Sequence, residues 1–307
     1  MYIEKVNDYT FMMDLNPKGI EKFIASYILK GEKTAIIECG PTSAVENLLK
    51  GLKMLGINLE EINYIMVSHV HLDHGGGAGA LLKHLPNARL IVHPRGMPHL
   101  ANPQKLWSQA RKVLGRIAEI YGEPVPVPVE RMIPGRDGMD IYLGEGIRIR
   151  VIETLGHASH HVSYYDQKSE VVFPGDTAGV YFKNLDVILP TTPPLPILDK
   201  MLDSIEKLVR FNPKMLCYTH FGPAGDAVKK LRAYADQLRL WASIIRECLK
   251  NNEGLEVMKE KLIERDSAAG VAAEYLSDRP IMSDMFVHDI QGFIAYFERY
   301  GLERSLV

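Results

Sequence analysis

The chain has 307 residues, of which 46% are hydrophobic and 24% are charged, and its formal net charge is -2. That length and composition allow a large core and predict an ordinary globular protein. The near-zero charge and the lack of a basic run argue against nucleic acid as a main partner, because phosphate binding needs concentrated Lys and Arg. Three distant cysteines, Cys39, Cys217 and Cys248, argue against a disulfide framework.

The first residues and the hydropathy of the chain predict a cytoplasmic location. Residues 1–5 have neither the charged region nor the apolar region of a signal peptide. No apolar stretch reaches the roughly 20 residues that a membrane-spanning helix needs. We therefore expect no membrane contact.

Short strand patterns separated by turns open the chain. They fall at residues 10–13, 26–29 and 34–39 and predict an antiparallel start to a sheet. Leucines then recur at three- and four-residue intervals up to Gly56, which predicts a helix with one buried face and a glycine stop.

Three histidines and one aspartate follow the next strand pattern, at residues 63–67, in the motif His69-x-His71-x-Asp73-His74. Side chains of an extended chain alternate in direction, so His69 and His71 project to the same side and can chelate one ion. Asp73 and His74 follow as the chain turns and can reach a second ion. Imidazole and carboxylate groups without a nearby cysteine favour zinc, with iron or manganese as alternatives.

Helix and strand patterns alternate after the motif up to residue 94, which is typical of a sheet covered by helices. Residues 95–136 interrupt the alternation with a helix predicted over 103–121 and with prolines at every second position of 124–128. These prolines exclude a helix and a central strand, so we predict an extended connector. An insertion of this kind can form a lid or substrate wall, or can simply link two halves.

The second half of the chain carries more polar residues at predicted strand ends. Strands are predicted over residues 146–154, 162–165, 170–173 and 215–219, and the second and third of them are predicted to form a hairpin. A helix is predicted over residues 198–210. His157, Asp176 and His220 follow three of the strands. From residue 226 onward the apolar residues have helical spacing, which predicts a helical C-terminal extension with further helices within 255–277 and over 283–300.

Taken together, the His69 motif, Gly156-His157, Gly175-Asp176 and Thr219-His220 resemble the metallo-β-lactamase superfamily of binuclear metal hydrolases. The resemblance covers roughly residues 1–225. It implies an α/β fold, a four-layer αβ/βα sandwich, that forms the catalytic domain and includes the 95–136 insertion. Residues 226–307 are then a helical extension packed on the same domain.

The resemblance also implies a set of seven ligands for two divalent metal ions, with zinc as the expected metal. By position, His69, His71 and His157 hold the first ion, Asp73, His74 and His220 hold the second, and Asp176 bridges both. A water shared by the ions would act as the nucleophile, and Asp73 would act as the catalytic group that orients this water or relays its proton. The expected reaction is hydrolysis of an ester-like bond, in a thioester, lactone or carboxylic ester of a small molecule.

Three further residues are predicted to lie next to the ligands or the substrate. Related enzymes carry another histidine in Gly-His-Thr-x-Gly-His, where this chain has Gly-His-Ala-Ser-His-His, so we predict that His160 or His161 supports a ligand. Tyr181, five residues after Asp176, can donate to a substrate carbonyl oxygen or pack as part of the wall.

Other functions are compatible with the same motifs. Related sulfur dioxygenases use a single iron on a persulfide with the same first motif, and nucleases or phosphodiesterases share the scaffold. His71 stands where flavodiiron proteins have a glutamate, which argues against that branch. A metal-bound scaffold without catalysis is another possibility. A homodimer through the helical C-terminus or the 95–136 segment is a further expectation.

Overall fold

A computed structural model describes residues 2–277 and 285–304. The chain divides into two compact units, which are described separately. Unit 1 comprises residues 1–153, 160–175 and 214–225, and unit 2 comprises residues 154–159, 176–213 and 226–307. Among the residues that the structure describes, none of the helices combines the length and the apolar character needed to cross a membrane.

Unit 1 contains two β-sheets, and the first has seven strands in chain order. They are β1 (Ile3–Lys5), β2 (Thr10–Asp14), β3 (Ala25–Lys30), β4 (Thr34–Ile37), β5 (Ile62–Met66), β6 (Arg89–Val92) and β7 (Met132–Pro134). Strands β1 to β4 pair antiparallel, as the opening of the sequence predicts, and β4 to β7 pair parallel.

The second sheet has six strands. They are β8 (Asp140–Gly144), β9 (Ile147–Glu153), β10 (Val162–Asp166), β11 (Val171–Phe173), β14 (Met215–Tyr218) and β15 (Gly222–Ala224). Their order is β15-β14-β11-β10-β9-β8, and only β11 and β14 pair parallel. The predicted hairpin of β10 and β11 is confirmed.

Neighbouring residues of the first sheet lie in two different cores, because side chains of a strand alternate between its faces. Met12, Ile37 and Met66 pack against residues of the second sheet such as Tyr164. Met13, Ile36 and Ile65 pack on the opposite face against helices. The strands are therefore buried on both faces, which explains their nearly continuous apolar runs.

Five helices belong to unit 1, namely α1 (Val45–Met54), α2 (Ala78–Leu82), α3 (Met97–Ala101), α4 (Gln104–Leu114) and α5 (Arg116–Tyr121). The prediction of a single helix over 103–121 is wrong in one respect, because the helix is broken into α4 and α5. Gly115 separates them with φ 52° and ψ -120°, a conformation open to glycine. The prolines of 124–128 lie outside helices and strands, as predicted.

Unit 2 is mostly helical, with one small hairpin of β12 (Val180–Phe182) and β13 (Val187–Leu189). Its helices are α6 (Leu198–Arg210), α7 (Ala227–Lys250), α8 (Leu255–Arg265), α9 (Ser267–Ser277) and α10 (Met285–Tyr300). Helix α7 packs against α6, α8 and α10. Trp241 of α7 is fully buried and stacks on Phe286 of α10 with a centroid distance of 5.8 Å.

Most predicted helices of this region are present. The bounds of α6 agree with the prediction to the residue. For the helix predicted over 283–300, residues 285–300 form α10, and residues 283–284 lie outside the described part of the chain. All three cysteines are buried thiols.

Candidate metal centre

The predicted motif lies in a loop directly after the central strand β5. His71 O accepts hydrogen bonds from the backbone N–H groups of His74 at 3.1 Å and Gly75 at 3.0 Å, which closes a tight turn. A Cβ atom on Gly76 would lie 2.3 Å from Leu72 O, so a side chain has no room there. The run of glycines thus allows the sharp turn from strand to helix.

Three of the predicted ligands converge within unit 1. The ligand atoms of Asp73, His74 and His220 all lie within 4.8 Å of one another. The two Nε2 atoms of His74 and His220 are 3.3 Å apart, and Asp73 Oδ2 is 3.5 Å from His220 Nε2. Two nitrogens bound to one tetrahedral zinc at about 2.0–2.1 Å would be roughly 3.3 Å apart.

The hydrogen-bond partner of Nδ1 shows which nitrogen of each ring carries the proton. His220 Nδ1 lies 2.7 Å from the carbonyl oxygen of Phe23, and His74 Nδ1 lies 2.9 Å from Glu38 Oε2. Both partners can only accept, so the hydrogen-bond network assigns the protons to Nδ1. The two Nε2 lone pairs then face each other beside a carboxylate, an arrangement that fits a shared cation.

Glu38 is a site residue that the sequence analysis missed. Its side chain is 2% exposed, and besides His74 it accepts the backbone N–H of Ser68 at 2.8 Å through Oε1. A carboxylate in this place orients the imidazole and raises its basicity. Glu38 also has φ 64°, a left-handed conformation that disfavours residues with a Cβ atom by about 1–2 kcal/mol.

A signal for Glu38 was present in the sequence. It is the carboxylate at the end of the apolar run 34–39, and β4 is the direct neighbour of β5. Adjacent parallel strands end at the same edge of a sheet, so the reasoning that selected the His69 motif applies equally to Glu38.

Three further histidines of unit 1, His71, His160 and His161, lie around His69. His69 Nε2 lies 2.8 Å from His71 Nδ1, while His69 Nδ1 shares a hydrogen bond of 3.0 Å with Ser68 Oγ. His161 is fully buried, with its ring centroid 4.9 Å from that of His69. His160 stacks on His69 at 6.3 Å. Both predicted neighbours therefore lie beside a predicted ligand.

The 95–136 segment also reaches this site. Tyr121, the last residue of α5, is 3% exposed, and its hydroxyl lies 3.5 Å from Asp73 Oδ2. Asp73 is itself the most open of the converging ligands, with a side chain 21% exposed. Tyr121 therefore covers one side of a carboxylate that solvent can still reach.

Unit 2 carries the last two predicted ligands, and they lie next to each other. His157 Nε2 is 3.2 Å from Asp176 Oδ2, and His157 Nδ1 is 3.0 Å from the carbonyl oxygen of Thr191. The carbonyl assigns the ring proton to Nδ1. The Nε2 lone pair and a carboxylate oxygen thus face each other, as in the pair formed by His220 and Asp73.

Tyr181, the predicted substrate contact, also lies in unit 2. It is 6% exposed in β12, and its hydroxyl donates a hydrogen bond of 2.8 Å to Asp186 Oδ1. Burial and this carboxylate raise the pKa of the Tyr181 hydroxyl above its usual value. Its contact with a substrate stays a prediction.

The chain was compared with known proteins, and the family model of the metallo-beta-lactamase superfamily matches residues 20–220. The metallo-beta-lactamase fold-containing protein ST1585 of Sulfurisphaera tokodaii is 30% identical over 211 residues, which cover 67% of this chain and 76% of the relative. The solved structure described as ST1585 from Sulfolobus tokodaii has a TM-score of 0.64 at 27% identity and covers 74% of this chain and 85% of its own.

A second structure, the metallo-beta-lactamase family protein TTHA1429 from Thermus thermophilus, has a TM-score of 0.66 at 18% identity. That alignment covers 91% of this chain and 89% of the other, and supports the fold alone. The predicted fold class, a sandwich of sheets and helices with further helices toward the C-terminus, is confirmed. The chain belongs to the metallo-β-lactamase superfamily, as the resemblance of its four motifs implies.

Proposed function

We propose that this protein is a metal-dependent hydrolase that binds two divalent metal ions, with zinc as the expected metal. The proposed ligands are the seven predicted side chains: His69, His71, Asp73, His74, His157, Asp176 and His220. The observation that carries the proposal is the pair of Nε2 atoms of His74 and His220, which face each other at 3.3 Å. In the assigned tautomers both atoms carry a lone pair, and both lone pairs can bind one cation.

The hydrogen-bond partners of the proposed histidine ligands also support the proposal. Metal-binding histidines commonly donate their second ring N–H to a carboxylate or a backbone carbonyl. His74 does so to Glu38, His220 to Phe23 O and His157 to Thr191 O. Three proposed ligands, in both units, thus share the tautomer in which the Nε2 lone pair can bind an ion.

The proposed reaction is hydrolysis of an ester-like bond in a small molecule, which can be a thioester, a lactone or a carboxylic ester. Divalent ions in such a site polarise a carbonyl oxygen and lower the pKa of water toward about 7. The water oxygen attacks the carbonyl carbon, the bond to the leaving oxygen or sulfur breaks, and the leaving group takes up a proton.

Asp73 is the proposed proton carrier among the protein groups. Its carboxylate is the most exposed of the three converging ligands, so it can contact both the attacking water and a substrate. Such a group accepts the proton of the water and returns it to the leaving group. Glu38 has a different task, because it is buried and holds the ring of His74 in place.

The proposal is tested by metal analysis and by turnover. Wild-type protein, His220→Ala and the control Asp236→Ala are freed of metal, loaded with zinc, manganese or iron, and assayed on esters, thioesters and lactones. Asp236 is a suitable control because its side chain is 80% exposed on α7. We expect metal-dependent turnover in wild type and in the control, and its loss in His220→Ala.

Other outcomes would replace the proposal. One bound iron together with oxygen uptake in the presence of a persulfide would identify a dioxygenase. Cleavage of bis(p-nitrophenyl) phosphate, without activity on the other substrates, would identify a phosphodiesterase. A complete lack of metal-dependent turnover would reject the hydrolase.

A further inference from the structure

A single peptide group in unit 2 connects a proposed metal ligand to the C-terminal helix. The carbonyl oxygen of Thr191 accepts the hydrogen bond of His157 Nδ1 at 3.0 Å. The N–H of Thr192 belongs to the same peptide plane and donates to Asp289 Oδ1 at 2.7 Å. Asp289 lies in α10, and so Asp289, the peptide and His157 form one continuous chain of hydrogen bonds.

The planarity of the peptide makes this chain a means of orientation. Because the six atoms of the group are held in one plane, fixing its N–H also fixes the direction of its C=O. Hydrogen bonds in series also polarise one another, so the acceptor at Asp289 strengthens the acceptor at Thr191. Thr192 is almost fully buried, and its hydroxyl donates to the backbone oxygen of Asp289 at 2.9 Å, a second contact to α10.

Close packing supports the same contact. Gly292 lies one helical turn after Asp289, and a Cβ atom there would be 2.1 Å from the carbonyl oxygen of Thr192. Helix α10 can approach the segment this closely only because residue 292 is glycine. Asp289 and Gly292 therefore contact the same peptide segment. Asp289 accepts a hydrogen bond from it, and Gly292 leaves room for it because it has no side chain.

Helix α10 also supports the loop that carries His157 by a second route. Its Tyr296 hydroxyl donates to Asp199 Oδ2 at 3.1 Å, in the first turn of α6. The residue before α6, Ile197, donates its N–H to Gly156 O at 3.0 Å. Met201 lies so close that a Cβ on Gly156 would be 2.4 Å from its backbone nitrogen. Both supports of the His157 loop thus lead to α10.

We propose that α10 is part of the metal centre's framework and that Asp289 is a positioning residue, which orients His157 through the peptide between Thr191 and Thr192. This inference rests on the proposed function, because it takes His157 to be a metal ligand. It gives a role to a helix outside residues 20–220, the range that the family model matches. In this proposal α10 orients a metal ligand in addition to stabilising the fold.

The test measures zinc affinity by competition with a chelating dye, and the absorption spectrum after loading with cobalt. The full-length variants are Asp289→Ala, Asp289→Asn, His157→Ala and the control Asp266→Ala. Asp266 is an appropriate match, because it is 7% exposed where Asp289 is 6% exposed. It also accepts buried hydrogen bonds in unit 2, from Trp241 at 2.7 Å and Gln237 at 2.8 Å. Among the described residues, its side-chain hydrogen bonds go to residues 237, 241 and 268 and not to the His157 loop.

We expect Asp289→Ala to lower the affinity for one zinc ion about 10-fold, the lower end of the range for groups that orient a metal-bound histidine. Its cobalt spectrum should change as well. Burial raises the pKa of Asp289 to about 8, so the residue is mostly neutral at pH 7. Asn keeps the acceptor for Thr192 and should retain the wild-type affinity and spectrum. Asp266→Ala should unfold at lower temperature but bind zinc like wild type.

The outcomes separate the inference from the proposed function. If His157→Ala loses one zinc ion while Asp289→Ala binds like Asp266→Ala, the positioning role is overturned and the hydrolase stands. If His157→Ala keeps the wild-type affinity, the ligand role fails, and the inference fails with it. Should Asp289→Ala not fold, Asp289→Ser replaces it, because a serine hydroxyl is too short to reach the Thr192 N–H.

Discussion

The proposed ligands of the two units are supported by different kinds of contact. In unit 1, His74 and His220 are supported by Glu38 and by the carbonyl of Phe23, and all four residues lie within the range 20–220. In unit 2, His157 is supported by a loop peptide that is itself held by Asp289 of α10. The ligands of unit 1 are thus supported by residues at strand ends, whereas His157 in unit 2 is supported through helix α10.

This difference has a consequence for variation among relatives. A ligand that is fixed by the strands of a common sheet needs nothing beyond the family core. A ligand that is fixed through a loop needs a further element, and its metal affinity can change when that element changes. Variants in each unit can therefore test the two kinds of support separately.

The largest effect is expected at Asp73. Asp73→Ala removes a proposed ligand and the proposed proton carrier, so kcat/KM on the best substrate should fall by about 10²–10⁴-fold. Steady-state kinetics on metal-loaded protein measures the loss, with Asp236→Ala as the control. Activity close to wild type in Asp73→Ala would show that the carboxylate has no part in the reaction.

The next effect is expected at Glu38, which supports the proposed ligand His74 in unit 1. Glu38→Gln keeps the shape of the side chain but places an amide opposite the Nδ1–H of His74, so zinc affinity should fall by about 10–100-fold. Asp166→Asn is the matched control, since Asp166 is fully buried and accepts a 2.6 Å hydrogen bond from Tyr9. Equal zinc affinity in the two variants would contradict the support by Glu38.

A smaller effect is expected from the glycine turn of unit 1. In Gly76→Ala the new Cβ atom would meet Leu72 O at 2.3 Å, and relief of this clash must displace the loop of His71 to His74. The free energy of unfolding should fall by about 1–3 kcal/mol in urea titrations. Gly225→Ala has open space around its Cβ and should stay within about 0.5 kcal/mol of wild type. A neutral Gly76→Ala would argue against a tightly fixed loop.

The last expected effect is a pH dependence of stability in unit 2. Burial and, to a lesser extent, the charge of Asp176 raise the pKa of Asp289 to about 8, above the value of about 3.9 for an unfolded chain. A raised pKa means that the stability contributed by this group is complete at low pH and is lost as pH rises through 8. The Tm of wild type should therefore fall relative to that of Asp289→Asn between pH 5 and pH 9. A constant difference in Tm would exclude this titration.

The proposed ligands could be selected from the sequence because they match the motifs of the family and stand after strands with a clear apolar pattern. His69, Asp176 and His220 come two or three residues after the last residue of β5, β11 and β14. The bounds of α6 were predicted correctly because its apolar and charged residues segregate to opposite faces. Patterns within one segment are what such reasoning can detect.

Features that depend on distant partners were missed. Strand β7 has only three residues and follows a proline-rich stretch, so its pairing with β6 could not be read from periodicity. Asp289 of α10 meets Thr192 over a separation of 97 residues. Contacts of this range are set by the packing of whole elements, which no local pattern encodes.

The most direct test of the central claim is the number of metal ions bound per chain, measured by elemental analysis after zinc loading and removal of free metal. The seven-ligand centre predicts two zinc ions in wild type and about one each in His220→Ala and His157→Ala, because the two variants remove ligands of different ions. Wild-type protein without stoichiometric zinc, or variants with as much zinc as wild type, would contradict it.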